Sequence, residues 1–286
     1  MLKLQTLVTD ATCKVNISYD DRILMLGSCF TDNIGSMLKN YGFNVCCNPF
    51  GSLYNPASIL SSIRRLKERK PFTNEDCVEI GAGDIRTCSF SHHTSFARAT
   101  NEEFLAHANR TLDEAADFFH TCNKIIITLG TSWCFRHLEK DFIVSNCLKR
   151  NPKEFRRELM TLNEVSDIMA EIVELCPEKE FIFTVSPIRH FKDGAHGNQI
   201  SKATLLLGLN EVTKLCRCDY FPAYEIVMDE LRDYRFYAED MCHPSQQAVK
   251  YIGERFLDWA LPCQEQDRLK ENIKAWRQSC HRTDWR

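Results

Sequence analysis

A serine and a cysteine stand side by side near the start of the chain, at Ser28 and Cys29. An apolar run over 23–26 precedes them and a helical pattern begins near Thr31, so both lie where a buried strand turns into a helix. A hydroxyl or thiol in such a turn can attack a carbonyl group when a base removes its proton. Because neighbouring side chains of a tight turn face opposite sides, we expect only one of the two to reach solvent.

A candidate base stands near the other end of the chain. Asp240 and His243 are three residues apart, and Pro244 suits the first turn of the helix that follows. A carboxylate at this spacing can turn back and accept the Nδ1–H of the histidine, which leaves Nε2 free as a general base. The alternative is an aspartate that caps a helix start beside a surface histidine.

Several motifs together resemble the GSCFA family, within the SGNH/GDSL hydrolase-like superfamily. They are spread over nearly the whole sequence and read LGSCFTDNIG, NPFGSLYNP, HHTSF, TLGTSW, VSPIRHFKDG, NQISKATLL and DMCHPS. The chain departs from the family name at its fifth letter, where Thr31 stands for alanine, and threonine still suits a helix start. The resemblance implies a flavodoxin-like SGNH hydrolase fold with three α/β/α layers.

The resemblance also implies roles for single residues. Without gaps, the superfamily's first block places its catalytic serine on Cys29 and its aspartate on Ser28. The glycine of the second block, whose N–H faces the oxyanion, falls on Gly51. The third block places Ser132 where the superfamily has an asparagine that donates to the oxyanion. The fifth block matches the aspartate–histidine pair described above.

The missing asparagine points to a replacement donor near the oxyanion. The candidates are His92, His93 and Asn48, although adjacent histidines in a polar loop are also typical of a solvent-exposed surface. Arg189 follows the fourth predicted strand. It is expected either to bind an anionic group of a substrate or to cap nearby carbonyl groups.

We favour Cys29 as the nucleophile. A thiol at a helix N-terminus, with His243 nearby, is expected to be pushed toward its thiolate form. Ser28 is the alternative nucleophile, in which case Cys29 is a small core residue behind it. If Cys29 is the nucleophile, Ser28 is interpreted as a helix N-cap. A third outcome, in which neither attacks, stays open.

The elements that must position these residues alternate along the chain. Short apolar segments bounded by turn signals predict buried parallel strands at 23–26, 45–47, 125–129 and 181–185. Helical patterns cover 33–41, 101–119, 162–175, 199–215 and 246–261. This alternation predicts an α/β protein with a central parallel sheet covered on both faces, in which ligands bind beyond the carboxyl ends of the strands.

We expect one domain over residues 1–263, with insertions at about 71–100 and 132–160. The first insertion carries short β-like pieces and the second begins with a predicted hairpin. Residues 264–286 are predicted to form a helical tail, whose apolar face either packs on the body of the chain or serves a homodimer. That face carries Leu269, Ile273 and Trp276.

Composition excludes several classes of function. A net charge of −3 over 286 residues gives no basic surface for nucleic acid. The sequence shows no run long enough to span a membrane and no signal-peptide pattern, so we expect a cytoplasmic protein. The 15 cysteines include no C-x-x-C pair, and neither Cys46-Cys47 nor Cys216-Arg217-Cys218 has the spacing of a zinc site. We therefore expect reduced thiols, no metal and no cofactor.

These residues favour an esterase or acyltransferase that forms a covalent acyl intermediate. The resemblance implies an acylated carbohydrate or another small ester or acyl donor as substrate. A thioester intermediate is more open to amine or thiol acceptors than an oxygen ester, so a cysteine nucleophile favours transfer. The alternative is a binding protein on a catalytically lapsed scaffold, because the third-block asparagine is missing. A redox or metal protein is a third hypothesis, which the cysteine spacing does not support.

Overall fold

The computed structural model describes residues 5–9, 13–81, 83–215 and 218–283. The strands in this part of the chain are β1 (Arg22–Gly27), β2 (Asn44–Cys47), β3 (Val78–Ile80), β4 (Arg86–Cys88), β5 (Lys124–Leu129), β6 (Trp133–His137), β7 (Phe142–Val144), β8 (Phe155–Leu159), β9 (Glu180–Val185) and β10 (Cys218–Tyr220). One central sheet has the spatial order β10-β9-β5-β1-β2, and all its strands run parallel. The predicted parallel sheet is confirmed, and β10 is an edge strand that the sequence pattern did not reveal.

The strand order creates a topological switch point at the carboxyl ends of the central strands β1 and β5. Numbered along the chain within this sheet, the order is 2-1-3-4-5, as in flavodoxin-like folds. The chain leaves β1 toward one side and later returns on the other side at β5, so the loops after β1 and β5 diverge. Ligands bind at this kind of switch point in open α/β sheets. The register pairs Gly27 with Thr128, so the Ser28 turn lies directly at the switch point.

Helices cover both faces of the sheet. They are α1 (Cys29–Asn40), α2 (Pro56–Glu68), α3 (Asn101–Thr121), α4 (Leu162–Leu175), α5 (Gly194–Leu215), α6 (Ala223–Glu225), α7 (Gln246–Ala260) and α8 (Gln266–Thr283). No helix in the described ranges combines the length and the apolar character that crossing a membrane requires.

Side chains of the central strands alternate between two hydrophobic clusters. Leu24 and Ile125 point into the cluster formed with α2, α3, α4 and α5. Ile23 and Ile126 point into the cluster formed with α1, α7 and α8. The period of two is the consequence of strand geometry. The three-layer α/β/α architecture is therefore confirmed.

Helix boundaries follow local capping signals. The predicted bounds of α4 agree with the structure, where Thr161 and Glu164 form a capping box. No helix was predicted at α2, although Asn55 caps it by accepting the N–H of Ser58 at 2.9 Å. The helix predicted over 33–41 begins four residues earlier, at Cys29.

The two insertions form small sheets beside the central one. Strands β3 and β4 pair antiparallel within the first insertion. The predicted hairpin of the second insertion is present as β6 and β7, and β8 adds a third strand. The N–H of Ser145 donates to the carbonyl of Phe90 at 2.9 Å, which joins the two insertions.

The C-terminal helix α8 packs against the body of its own chain. Leu269 is buried, and the ring of Trp276 contacts that of Tyr41 edge-on at 5.6 Å. Nδ2 of Asn272 donates to the carbonyl of Tyr41 at 3.0 Å. Residues 284–286 of the predicted tail lie outside the described residues.

Some of the cysteines act as small apolar residues in the core. Cys88, Cys122, Cys134 and Cys176 lie within the hydrophobic cluster of α2 to α5. Cys216 and Arg217 lie outside the described residues.

Candidate active site

The turn after β1 is held by backbone contacts to two neighbouring strands. The N–H of Ser28 donates to the carbonyl of Thr128 at 3.2 Å, and the N–H of Gly27 donates to Oδ1 of Asn48 at 2.8 Å. Gly27 has φ +148°, and a Cβ there would lie 2.2 Å from the Thr128 oxygen. Glycine is therefore required for β1 to turn so close to β5.

Ser28 and Cys29 differ in their access to solvent. Ser28 is 0% exposed, and its Oγ has no hydrogen-bond partner among the described residues. It occupies the N-cap position of α1 but its side chain makes no capping hydrogen bond. Cys29 is partly exposed and is the first residue of α1. Only the cysteine can meet a substrate in this conformation.

The environment of Cys29 favours the protonated thiol. Burial raises its pKa, and the carboxylates of Asp32 and Asp240 raise it further. The backbone N–H groups of Cys29 and Phe30, at the N-terminus of α1, lower the pKa without reversing the shift. The expectation of a thiol pushed toward thiolate is therefore wrong for the resting protein, because desolvation outweighs the helix N-terminus. A base must take the proton during attack.

The Asp240–His243 pair has the geometry of an oriented general base. Nδ1 of His243 lies 2.5 Å from Oδ2 of Asp240. Oδ1 of Asp240 accepts the N–H groups of His243 and Cys242, each at 2.9 Å. These hydrogen bonds lower the pKa of Asp240 to about 2, and the bond from the His243 N–H has the largest effect. The ionised carboxylate can only accept, so Nδ1 carries the proton and Nε2 is the basic atom.

Arg189 holds the loop that carries this pair. Its N–H donates to the carbonyl of Cys242 at 3.0 Å, and its guanidinium donates to that of Met241 at 3.4 Å. The guanidinium also lies over the ring of Tyr237, 5.2 Å from its centroid. The Asp240 carboxylate raises the pKa of the Cys29 thiol, so the late loop and the early turn are close enough to interact electrostatically. The contact with Met241 agrees with the carbonyl-capping role considered for Arg189, and anion binding stays a prediction.

Asn48 and Asp32 fasten the loop after β2 to helix α1. Asn48 has φ +42°, and its Nδ2 donates to Oδ1 of Asp32 at 2.8 Å. Oγ of Ser52 donates to the other oxygen of Asp32, also at 2.8 Å. In the sequence, Asp32 is visible only as the residue after Thr31, at the predicted helix start. Its partners are close in space and sixteen or more residues away in sequence, so spacing offered no signal.

The other two donors expected at the oxyanion are engaged within the protein. The N–H of Gly51 donates to the carbonyl of Asn48 at 2.8 Å. Oγ of Ser132 donates to the carbonyl of Ser201 at 3.3 Å, and the N–H of Ser132 donates to Oγ of Ser201 at 2.9 Å. In this conformation Ser132 joins the end of β5 to helix α5.

The adjacent histidines have separate environments. His92 is 0% exposed and packs against Phe72, with 4.5 Å between ring centroids. Burial lowers its pKa to about 3, so it is a neutral member of an aromatic cluster. His93 is half-buried and packs on Gly51, where an added Cβ would lie 2.3 Å from the Cβ of His93. His93 therefore borders the loop after β2, whereas His92 lies in the core.

Sequence reasoning missed a buried lysine at the same edge of the sheet. Lys202 in α5 is 1% exposed, and its Nζ donates to the carbonyls of Gly130 at 2.6 Å and Ser186 at 2.7 Å. Burial lowers its pKa to about 7. A signal was present, because Lys202 shares a helix face with Leu205 and Leu209 at spacings of three and seven residues.

Comparison with known proteins identifies a family. The sequence model of the GSCFA family matches residues 22–256. No curated protein matches the chain.

Two solved structures are similar at low identity. One is an acetyl xylan esterase (Est2A) from the rumen bacterium Butyrivibrio proteoclasticus, with 10% identity and a TM-score of 0.42 over 85% of this chain. The present chain covers 64% of that esterase's length. The other is a family 3 carbohydrate esterase from Clostridium thermocellum, with 12% identity and a TM-score of 0.37. That match covers 88% of this chain and 98% of the esterase.

Proposed function

The chain belongs to the GSCFA family, and from that premise we propose that it is an esterase or acyltransferase in which Cys29 forms a covalent acyl intermediate. One observation carries the proposal. His243 is oriented as a base by Asp240. The Asp240 carboxylate also raises the pKa of Cys29, the more exposed of the two candidate nucleophiles. The oriented histidine and the thiol at a helix N-terminus are the parts that nucleophilic acyl transfer requires.

The first half of the reaction forms a thioester. Nε2 of His243 takes the proton from Sγ of Cys29 while the sulfur bonds to the carbonyl carbon of the ester. The developing oxyanion lies near the N–H groups of Cys29 and Phe30, at the positive end of α1. When the intermediate collapses, the C–O bond breaks and the imidazolium returns its proton to the leaving alcohol.

The second half releases the acyl group. An acceptor attacks the thioester carbonyl while His243 takes the acceptor's proton, and the Cys29 thiol is restored. Water gives hydrolysis, whereas an amine, thiol or alcohol gives transfer. The substrate class that we propose is an acylated carbohydrate or another small ester.

Covalent labelling of the folded protein tests the nucleophile. Iodoacetamide, followed by peptide mass spectrometry, is expected to modify Cys29, and His243→Ala is expected to slow that labelling. A fluorophosphonate, which reacts with activated serines, should leave Ser28 unmodified. Ser28→Ala should leave it unchanged. Cys47→Ala is the matched control, because Cys47 is also a half-buried thiol and lies at the end of β2. Burial raises its pKa, as it does for Cys29. Absence of labelling at Cys29, or no effect of His243→Ala, would overturn the proposal.

A second candidate function is binding without turnover. The specific observation in its favour is that the N–H of Gly51 and Oγ of Ser132 are both engaged within the protein. Fewer donors for the oxyanion would lower catalytic power, since losing one donor typically costs about 3 kcal/mol of transition-state stabilisation. Saturable binding of an acylated sugar that is unchanged by Cys29→Ala, with no turnover of a panel of esters, would favour this candidate.

A further inference from the structure

We propose that Lys202 is a positioning residue for this reaction, whose buried ammonium group lies beside the turn that carries Cys29 and favours the thiolate that forms during attack. The inference rests on the proposed function of Cys29. In this proposal Lys202 acts through the thiol of Cys29 and makes no contact with the substrate.

Hydrogen bonds place Lys202 at the carboxyl ends of β5 and β9, beside the switch point between β1 and β5. Its Nζ joins the carbonyls of Gly130 and Ser186, which directly follow β5 and β9. Two residues before Gly130, the carbonyl of Thr128 accepts the N–H of Ser28. The lysine therefore bridges the ends of β5 and β9, and β5 is the strand next to the turn at Ser28 and Cys29.

The charge of Lys202 has no carboxylate partner. Within the described ranges, no aspartate or glutamate oxygen lies within 4.0 Å of its Nζ. The other two buried lysines differ in this respect, because Lys124 pairs with Glu180 and Lys179 lies 3.3 Å from Glu178. Both of those lie at the amino end of the sheet. A buried charge is costly unless another charge compensates it, and the thiolate of Cys29 is a counter-charge on the correct side of the sheet.

The electrostatics of the site agree with this pairing. Burial lowers the pKa of Lys202 to about 7, and the Cys29 thiolate acts in the opposite direction. Because such coupling is reciprocal, the proposal requires the ammonium to favour the thiolate against the carboxylates of Asp32 and Asp240, which raise the pKa of Cys29. The other charged or titratable groups that face the pair come from five elements. They are Asp32 from α1, Tyr54 from the loop after β2, His190 from the loop after β9, Tyr224 from α6, whose ring centroid is 5.9 Å from Nζ of Lys202, and Asp240 with His243 from the late loop.

The test is the pH dependence of Cys29 alkylation by iodoacetamide in the folded full-length chain. Lys202→Met removes the charge with little change in side-chain volume. The variant is expected to alkylate roughly tenfold more slowly near neutral pH. The two rates should converge at alkaline pH, where Lys202 is neutral. Lys179→Met is the matched control, because Lys179 is buried and donates to the Cys122 carbonyl at the opposite end of the sheet. Its profile should match the wild type.

Two further measurements apply if Lys202→Met does not fold. Lys202→Arg keeps a permanent charge, so Cys29 in this variant should react at least as fast as in the wild type at alkaline pH. In the wild type itself, the rise of alkylation with pH should flatten above about pH 7 as Lys202 loses its proton.

The outcomes separate the two proposals. A lower rate in Lys202→Met with an unchanged Lys179→Met supports the inference. Equal profiles for Lys202→Met and the wild type, or a wild-type profile without flattening, overturn it and leave Cys29 as the nucleophile. If Cys29 is not alkylated in the folded wild type at any pH, both proposals are wrong.

Discussion

The carboxylate of Asp240 binds both the ring and the backbone N–H of His243. One carboxylate oxygen lies 2.5 Å from Nδ1 of the ring, and the other accepts the His243 N–H at 2.9 Å. The second bond fixes the carboxylate relative to the backbone of the loop, so the ring is oriented even though its side chain is about half exposed. An oriented ring at the surface suits a base that must meet a substrate from solvent.

Replacing Asp240 by asparagine should impair the base without unfolding the protein. The amide can donate to Nδ1, which stabilises the tautomer that has its proton on Nε2. We expect a rate loss on the order of 100- to 10,000-fold in acyl transfer, measured as ester turnover or as thioester formation at Cys29. Asp233→Asn is the matched control, because Asp233 is also an exposed aspartate that caps a short turn. A loss below about threefold in Asp240→Asn would contradict the assigned role.

Ser28→Ala should leave both labelling and stability intact. The buried Oγ of Ser28 has no hydrogen-bond partner among the described residues, so its removal loses no bond. We expect the free energy of unfolding to stay the same or to rise by up to about 1 kcal/mol, because an unsatisfied buried hydroxyl is lost. Urea unfolding measures the change. Marked destabilisation, or loss of alkylation at Cys29, would show that the hydroxyl has a partner or a catalytic role.

Gly51→Ala should destabilise the loop after β2. Gly51 has φ +88°, and an added Cβ would lie 2.3 Å from the Cβ of His93. Because both the backbone conformation and the contact are unfavourable, we expect a loss of about 2 kcal/mol or more in the free energy of unfolding. Gly83→Ala is the control, since no atom lies within 4 Å of a Cβ there. Equal stability of the two variants would contradict this account of the loop.

The stability of the protein should depend on pH through Lys202. In the unfolded chain the lysine keeps its proton up to its ordinary pKa of 10.5, whereas in the folded protein it releases the proton near about 7. Between these values the unfolded chain binds more protons, so the contribution of Lys202 to the free energy of unfolding rises with pH. Urea unfolding should therefore show that the free energy of unfolding rises more between pH 7 and pH 9 in the wild type than in Lys202→Met. An identical gain in the two proteins would mean that the folded lysine titrates normally.

The fold was predictable where its signal is local. Buried parallel strands are short apolar runs, and both clusters of the core follow from their alternation. The α4 helix was predicted with its correct bounds because its capping box is written in four consecutive residues, Thr161 to Glu164. The edge strand β10 was missed because its three residues, Cys218–Tyr220, are too short for a periodic pattern.

The site was predictable only in part for the same reason. Asp240 and His243 are three residues apart, and the geometry that joins them is a local turn. The hydrogen bonds of Lys202 have no local sequence signal, since its partners at Gly130 and Ser186 are 72 and 16 residues away. Gly51 and Ser132 were expected to donate to the oxyanion, but both donate to carbonyls within the protein, those of Asn48 and Ser201. The sequence pattern did not reveal these hydrogen bonds.

The sequence by itself determined the parallel α/β architecture and the membership of a family, and it predicted that an early nucleophile turn acts with a late aspartate–histidine pair. Only the tertiary structure decided that Ser28 is buried and Cys29 is partly exposed, that burial raises the pKa of the Cys29 thiol, and that Lys202 is buried at the ends of β5 and β9. Residue types and spacings express local geometry. Burial, and with it the cost of a charge, depends on which distant segments pack together.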